Sequence, residues 1–241
     1  MPSNDPSAFH LPATEPGTTP DRFLNTVSHG LRSPLMAINV AAQLLSLEAT
    51  GSLTDAQRRH VERIRTSSLD MHDRVSDLLE LSLHHARRVV LHVRPLDLDA
   101  CAAEAIASIR PQASARGVEV RHAPSTGPSG CMGDAARITH LLRNLLANAV
   151  RFTPSGGHVR VSTAPDGPWL RCRVEDTGCG IAPDALETLF EPFYLGREEC
   201  GDRLGIGLNV CKAILDLHGG TLSVESRLGA GSVFSFTLPR S

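Results

Sequence analysis

The chain has 241 residues, 41% hydrophobic and 21% charged, which is enough for one or two globular domains with real cores and outside the disordered and fibrous classes. Its formal charge of -2 and pI near 6.6 exclude the strong positive field of a general nucleic-acid binder, so any nucleotide must be held locally. No apolar run approaches the roughly 18 residues that a membrane-spanning helix needs, and the polar, proline-bearing N-terminus lacks the basic-then-apolar layout of a secretory signal.

Residues 1–18 read as a disordered tail too short for a sensory domain. An input signal is therefore expected through a separate sensor protein, through the tail, or through a part of a longer protein. Thr19-Pro20-Asp21 then combines a capping hydroxyl, a proline at the first helical position and an acid in the first turn. Leu24, Leu31, Ile38 and Leu45 recur every seven residues, with Val27 and Ala41 between them, and form the seam of a helical bundle. Thr50-Gly51-Ser52 ends that helix. Thr54 and Gln57 have the spacing of a capping box for a second, long helix, whose seam runs through Val61, Ile64, Ser68, Met71, Val75 and Leu78 toward His84-His85. The two helices, over residues 19–88, make a hairpin with one apolar stripe. One stripe encloses no core, so two copies are expected to pair as a dimeric four-helix bundle; the competing arrangement packs the stripe on the rest of the same chain.

From Val89 the pattern shifts to short extended runs and shorter helices, which implies a second domain over residues 89–241 and an α+β chain overall. Strands are predicted at Leu91–Arg94 and Val118–Arg121, and helices at Ala100–Ile109 and Ala135–Arg151. Strict alternation through Val159, Val161 and Thr163, then Leu170, Cys172 and Val174, predicts a hairpin turning at Pro165-Asp166-Gly167-Pro168. A helix over Gly207–His218 and a last hairpin around Gly229-Ala230-Gly231 complete a mixed sheet with helices on one face, an α/β sandwich. The six cysteines form no CxxC pair and read as reduced thiols in a cytoplasmic setting, with Cys179 the one open to oxidation.

Three segments carry chemistry. In RITHLLRNLLANAVRFTP, Asn144, Asn148 and Arg151 sit at helical spacing on a largely apolar element. An Asn oxygen suits Mg2+, which bridges protein to phosphates, and Arg151 adds charge to the same phosphates; a buried Asn bonded to backbone is the commoner use of such a residue. Asp176-Thr177-Gly178-Cys179-Gly180-Ile181 places a carboxylate at a strand end, followed by glycines that admit a flat ligand, or else forms an ordinary capped turn. Gly205-Ile206-Gly207-Leu208 leads into a helix, whose free amides suit phosphate. Between the last two, Leu189-Phe190-Glu191-Pro192-Phe193 and a polar stretch over residues 196–203 read as a loop over the ligand.

Asn148 in NLLANA, then DTGCGI, LFEPF and GIGL, in this order and spacing, resemble the N, G1, F and G2 boxes of histidine kinase ATPase domains. The resemblance runs from about Leu91 to Pro239 and implies a Bergerat-type nucleotide fold. By it, Asn148, with Asn144 as a second candidate, approaches Mg2+ and phosphate, and Asp176 reads adenine. Gly178, Gly180 and Ile181 line the base, and Gly205, Ile206, Gly207 and Leu208 close on the phosphates.

The segment FLNTVSHGLRSPL resembles the H box of kinase dimerisation domains and makes His29 the implied phosphoacceptor, on the outer face of a helix that Pro34 kinks. Ser33 stands one turn further, where the family commonly has Thr or Asn that positions water for dephosphorylating a partner regulator. The resemblance therefore implies an ATP-dependent protein-histidine kinase that passes phosphate to a response regulator receiver domain, with ATP and Mg2+ as ligands. Two departures stand out: Gly30 replaces the acidic residue that orients the histidine in the family, and Leu204 replaces a frequent glycine. Gly30 supports an alternative, a degenerate kinase acting as a nucleotide-responsive module or regulator phosphatase.

Overall fold

The computed structural model describes residues 35–36, 38–42, 45, 53–85, 90–190 and 207–240. His29, Gly30, Ser33, Leu204, Gly205 and Ile206 lie outside them, as do the expected helix start at Thr19 and the first half of the first seam, Leu24, Val27 and Leu31. Residues 35–36, 38–42 and 45 are helical. Helix α1 (Asp55–His85) opens on the expected capping box: Thr54 N–H donates to Gln57 Oε1 at 2.9 Å, and Gln57 N–H to Thr54 Oγ1 at 3.3 Å. The two helical segments touch where Ser68 Oγ donates to Leu35 O at 2.5 Å.

The remainder follows the order β1 (Arg94–Asp97), α2 (Leu98–Arg116), β2 (Glu119–Ala123), β3 (Gly130–Gly133), α3 (Ala135–Phe152), β4 (His158–Asp166), β5 (Trp169–Asp176), α4 (Pro183–Thr188), α5 (Gly207–His218), β6 (Thr221–Arg227) and β7 (Gly231–Pro239). Five strands form one sheet in the order β2-β4-β5-β7-β6, with β2 parallel to β4 and the other pairs antiparallel. The sheet is therefore mixed, and α3 supplies the crossover that a parallel pair requires. Inward residues of β4, β5 and β7, among them Val161, Cys172 and Phe236, meet α2, α3 and α5 in one core, while Arg160 and Arg171 on the opposite face are exposed.

Three expectations are corrected. The first strand is Arg94–Asp97 rather than Leu91–Arg94, because the ladder is set by its partner: Arg94 pairs with Gly133 and Asp97 with Gly130. The second runs Glu119–Ala123, in register with residues 158–162, and not Val118–Arg121. Helix α2 extends to Arg116 instead of stopping at Ile109. Pro111 faces solvent, which can take the carbonyl that proline leaves unbonded, while Ile109 and Ala113 on either side are buried. The helix ends at Gly117, whose N–H donates to Ala113 and Ser114 carbonyls.

Phe236 is fully buried at the centre of the sheet, paired with Cys172 on one side and Leu222 on the other. Replacing it with alanine is expected to cost about 3–5 kcal/mol of stability, read as a lowered midpoint in denaturant with an unchanged slope.

Candidate functional site

The site is built around the C-terminal half of α3. Asp134 caps the helix by accepting from Arg137 N, and a broad apolar face including Leu141, Leu142 and Leu145 pins it to the sheet. That leaves Asn144, Asn148 and Arg151 on one side at steps of four and three. Asn144 is buried; Asn148 and Arg151 are half-buried. The Arg151 guanidinium carbon lies 5.3 Å from the centre of the Phe152 ring.

Strand β5 delivers Asp176 to the end of this helix. Its Oδ1 accepts from Gly178 N at 2.8 Å and from Ser232 N at 3.3 Å, while Oδ2 has no partner among the described residues. Burial pushes this carboxyl above its ordinary value of 3.8, against the opposing pull of those two N–H groups. The loop that follows is clamped from two sides. Cys179 N donates to Phe152 O at 3.2 Å, and Gly229 N to Cys179 O at 2.7 Å. Ile181 N donates to Ser226 Oγ at 2.8 Å, and Ser226 in turn donates to Gly231 O at 2.9 Å. Gly178 has no room for a side chain, since a Cβ would come within 2.6 Å of both Asp176 Oδ1 and Phe152 O. Gly180 adopts φ of 67°, and a Cβ there would lie 2.0 Å from Arg227 O.

At the other end, Gly207 opens α5 beside Asn144, with a Cβ position 3.7 Å from Asn144 Cγ. The helix rise places Phe152 about 12 Å from Asn144, a span that suits an extended nucleotide from base to phosphates. Asp176, Gly178, Gly180 and Ile181 thus gather at the C-terminal end of α3, and Gly207, followed by Leu208 in α5, stands beside Asn144 near the middle of α3, with Asn148 and Arg151 between. The donor set fits an adenine nucleotide with Mg2+. Asp176 Oδ2 can accept an exocyclic amine, and the Asn148 side chain makes no hydrogen bond among the described residues, leaving a hard oxygen for an ion. Among the described residues no group of three His, Cys, Asp or Glu side chains could hold a metal alone, so the ion would be shared with phosphate oxygens.

Residues not singled out from the sequence also shape the site. Ser226 and Ser232 tie the glycine loop to the last hairpin, and His140 and Asp77 contact Asn144. Small hydroxyls in alternating strands and isolated charges on helices carry no signal of such roles. Of the described cysteines, Cys101, Cys131, Cys172 and Cys211 are buried, with burial pushing the Cys131 thiol up to about 11, whereas Cys179 is exposed.

Comparison with known proteins agrees with the geometry. Residues 133–241 match the family described as histidine kinase-, DNA gyrase B- and HSP90-like ATPase, and residues 21–87 match the His Kinase A (phospho-acceptor) domain. The histidine protein kinase DivJ of Caulobacter vibrioides is 34% identical over 220 residues, covering 90% of this chain and 37% of the relative. The sensor-like histidine kinase SenX3 of Mycobacterium tuberculosis is 33% identical over 222 residues, covering 90% and 53%. Among solved structures, full-length ShkA in complex with AMPPNP aligns with a TM-score of 0.70 and 32% identity over 92% of this chain and 46% of that one. The Acinetobacter baumannii histidine kinase AdeS, at 20% identity and a TM-score of 0.61 over 88% and 98%, shares the fold. The chain spans 37% to 53% of the length of these two curated relatives. With a phospho-acceptor region, an ATPase-type region and relatives that align across nine-tenths of it, the chain belongs to the two-component sensor histidine kinase family and carries the core of such a kinase.

Proposed function

We propose that this chain is an ATP-dependent protein-histidine kinase core that phosphorylates itself on His29 and passes the group to an aspartate of a response regulator receiver domain. The observation that carries the reading is Asp176, a half-buried carboxylate with one oxygen fixed by two backbone N–H groups and the other open to an adenine amine. In the transfer, the neutral His29 imidazole attacks in line: a nitrogen–phosphorus bond forms, the bond to the β-phosphate oxygen breaks, and ADP leaves. Asp176 holds the base, Arg151 offers charge to the phosphates, and Gly205, Ile206, Gly207 and Leu208 present backbone amides to them. When bound, Mg2+ would neutralise phosphate oxygens from between Asn148, with Asn144 as a second ligand, and the nucleotide. Ser33, a hydroxyl four residues after His29 in the sequence, is assigned to positioning water in a phosphatase reaction on the regulator.

The chain divides near residue 88 into a hairpin, preceded by a tail over 1–18, and a nucleotide domain, with the hairpin pairing two copies. Support comes from an unpartnered stripe: Ile38, Leu45, Ile64 and Met71 are 45%, 57%, 51% and 52% exposed. Ile38, Ile64 and Met71 line an apolar groove of about 510 Å³ together with Leu35, His60 and Arg63. Five free thiols among the described residues suit a reducing cytoplasm, and no helix among the described residues is long and apolar enough to cross a membrane. The input reaches the hairpin from a separate sensor protein, through the tail, or from a further region of the same polypeptide.

A second reading, a degenerate kinase that binds nucleotide and acts as an interaction module or regulator phosphatase, is favoured by Gly30 alone. Incubating the full chain with γ-labelled ATP and Mg2+ separates the two. Acid-labile label that disappears in His29→Gln supports the kinase. Unlabelled wild type with intact ATP binding supports the degenerate form.

A further inference from the structure

We infer that Asp77, on the hairpin helix α1, is a positioning residue for the nucleotide site: it orients the Asn144 amide, so that the phosphate end of the cleft is complete only while α1 is docked. The inference rests on the nucleotide binding proposed above. Asp77 Oδ1 lies 3.2 Å from Asn144 Nδ2 and 2.9 Å from His140 Nε2. A carboxylate only accepts, so both partners must donate to it. With its Nε2 hydrogen directed at Asp77, His140 has no lone pair on that atom for Asn144, 3.5 Å away. The amide of Asn144 is thereby set with nitrogen toward Asp77 and oxygen on the other branch, where it makes no hydrogen bond among the described residues. Reversed, it would bring two oxygens face to face.

Burial makes this orientation matter. Asn144 is 9% exposed and the Asp77 side chain 13%, so little water is at hand to substitute for either partner. Leu81, one turn beyond Asp77 on the same face of α1, packs with Leu78 against the nucleotide-domain core, and α1 also lies along α5, whose first residue stands beside Asn144. Asp77 is therefore a polar contact by which the hairpin reaches a residue assigned to the ion and phosphates. Thermodynamic linkage makes the effect mutual: a docked α1 favours metal-bound nucleotide, and metal-bound nucleotide favours docking.

The test is calorimetric titration of the full-length chain with ATP, once with excess Mg2+ and once with EDTA, in wild type, Asp77→Ala, Asp77→Asn and Asn144→Ala. Asp77→Ala is expected to weaken binding of ATP with Mg2+ about tenfold, while binding in EDTA stays within about twofold. Asp77→Asn keeps a carbonyl acceptor for Asn144 and is expected to restore most of the loss. Asp77→Ala added to Asn144→Ala is expected to change nothing further. The same pattern is expected of Asp77→Ser, too short to reach Asn144, which covers an alanine variant that does not fold. An Asp77→Ala protein that binds like wild type, loses affinity equally with and without Mg2+, or is not rescued by Asp77→Asn overturns the inference and leaves nucleotide binding standing. Wild type that binds no ATP in either condition overturns both.

Discussion

Gly30→Glu is expected to raise the initial rate of autophosphorylation by about 10² to 10⁴, the usual contribution of a positioned general base. His29 has the H-box motif around it but no acidic neighbour, and Gly30 stands in the position from which the family's acid orients the imidazole and stabilises the charge that develops on it. A glutamate there also replaces a glycine in the helix that the sequence predicts over this segment, a change expected to add about 1 kcal/mol of local stability. Both effects act on the acceptor, and neither touches the nucleotide cleft. Initial rates at saturating ATP should therefore rise while ATP affinity stays within about twofold. Equal rates in wild type and Gly30→Glu would mean that an acid elsewhere already serves His29.

Asp176→Asn is expected to separate stability from binding. The asparagine oxygen can accept from Gly178 N and Ser232 N as Asp176 Oδ1 does, which leaves an NH₂ group where the open carboxylate oxygen stood. An adenine amine would then face a donor, and ATP affinity should fall about 10- to 100-fold. The nucleotide-free protein should be as stable as wild type at neutral pH, or more so. Burial raises the Asp176 pKa in the fold, so its favourable contribution is present below its ordinary 3.8 and is lost as pH rises through the raised folded value. Above that value the wild type carries a desolvated charge that the variant lacks. Thermal melts and ATP titrations across the acid range should show wild-type affinity falling as pH drops through that raised value, and a flat profile in Asp176→Asn. A variant that is both less stable and fully competent in binding would contradict this role.

Local signals were legible where one segment holds both halves of an interaction. Thr54 and Gln57 cap each other, and the turn between β4 and β5 and the start of α5 at Gly207 declare themselves by alternation and glycine. The run Asp176, Gly178 and Gly180 was readable as a close backbone turn, because neither glycine has room for a side chain. What escaped was set by distant partners. Strand β3 is four residues bounded by glycines and exists because β1 pairs with it, which also moves β1 from Leu91 to Arg94. Helix α2 passes Pro111 because Ala113 beyond it is buried. Ser232 beneath Asp176, and Asp77 with His140 around Asn144, join residues 56, 67 and 63 positions apart that no periodicity connects.

The most direct measurement of the central claim is a calorimetric comparison of ATP and GTP, both with Mg2+, on the wild-type chain. Guanine carries a carbonyl oxygen where adenine carries its amine, so Asp176 Oδ2 would meet an acceptor instead of a donor. The expected result is saturable ATP binding with GTP weaker by about 100-fold or more, and loss of this discrimination in Asp176→Asn. Equal affinity for the two nucleotides, or no binding of ATP, would contradict a nucleotide cleft built on Asp176.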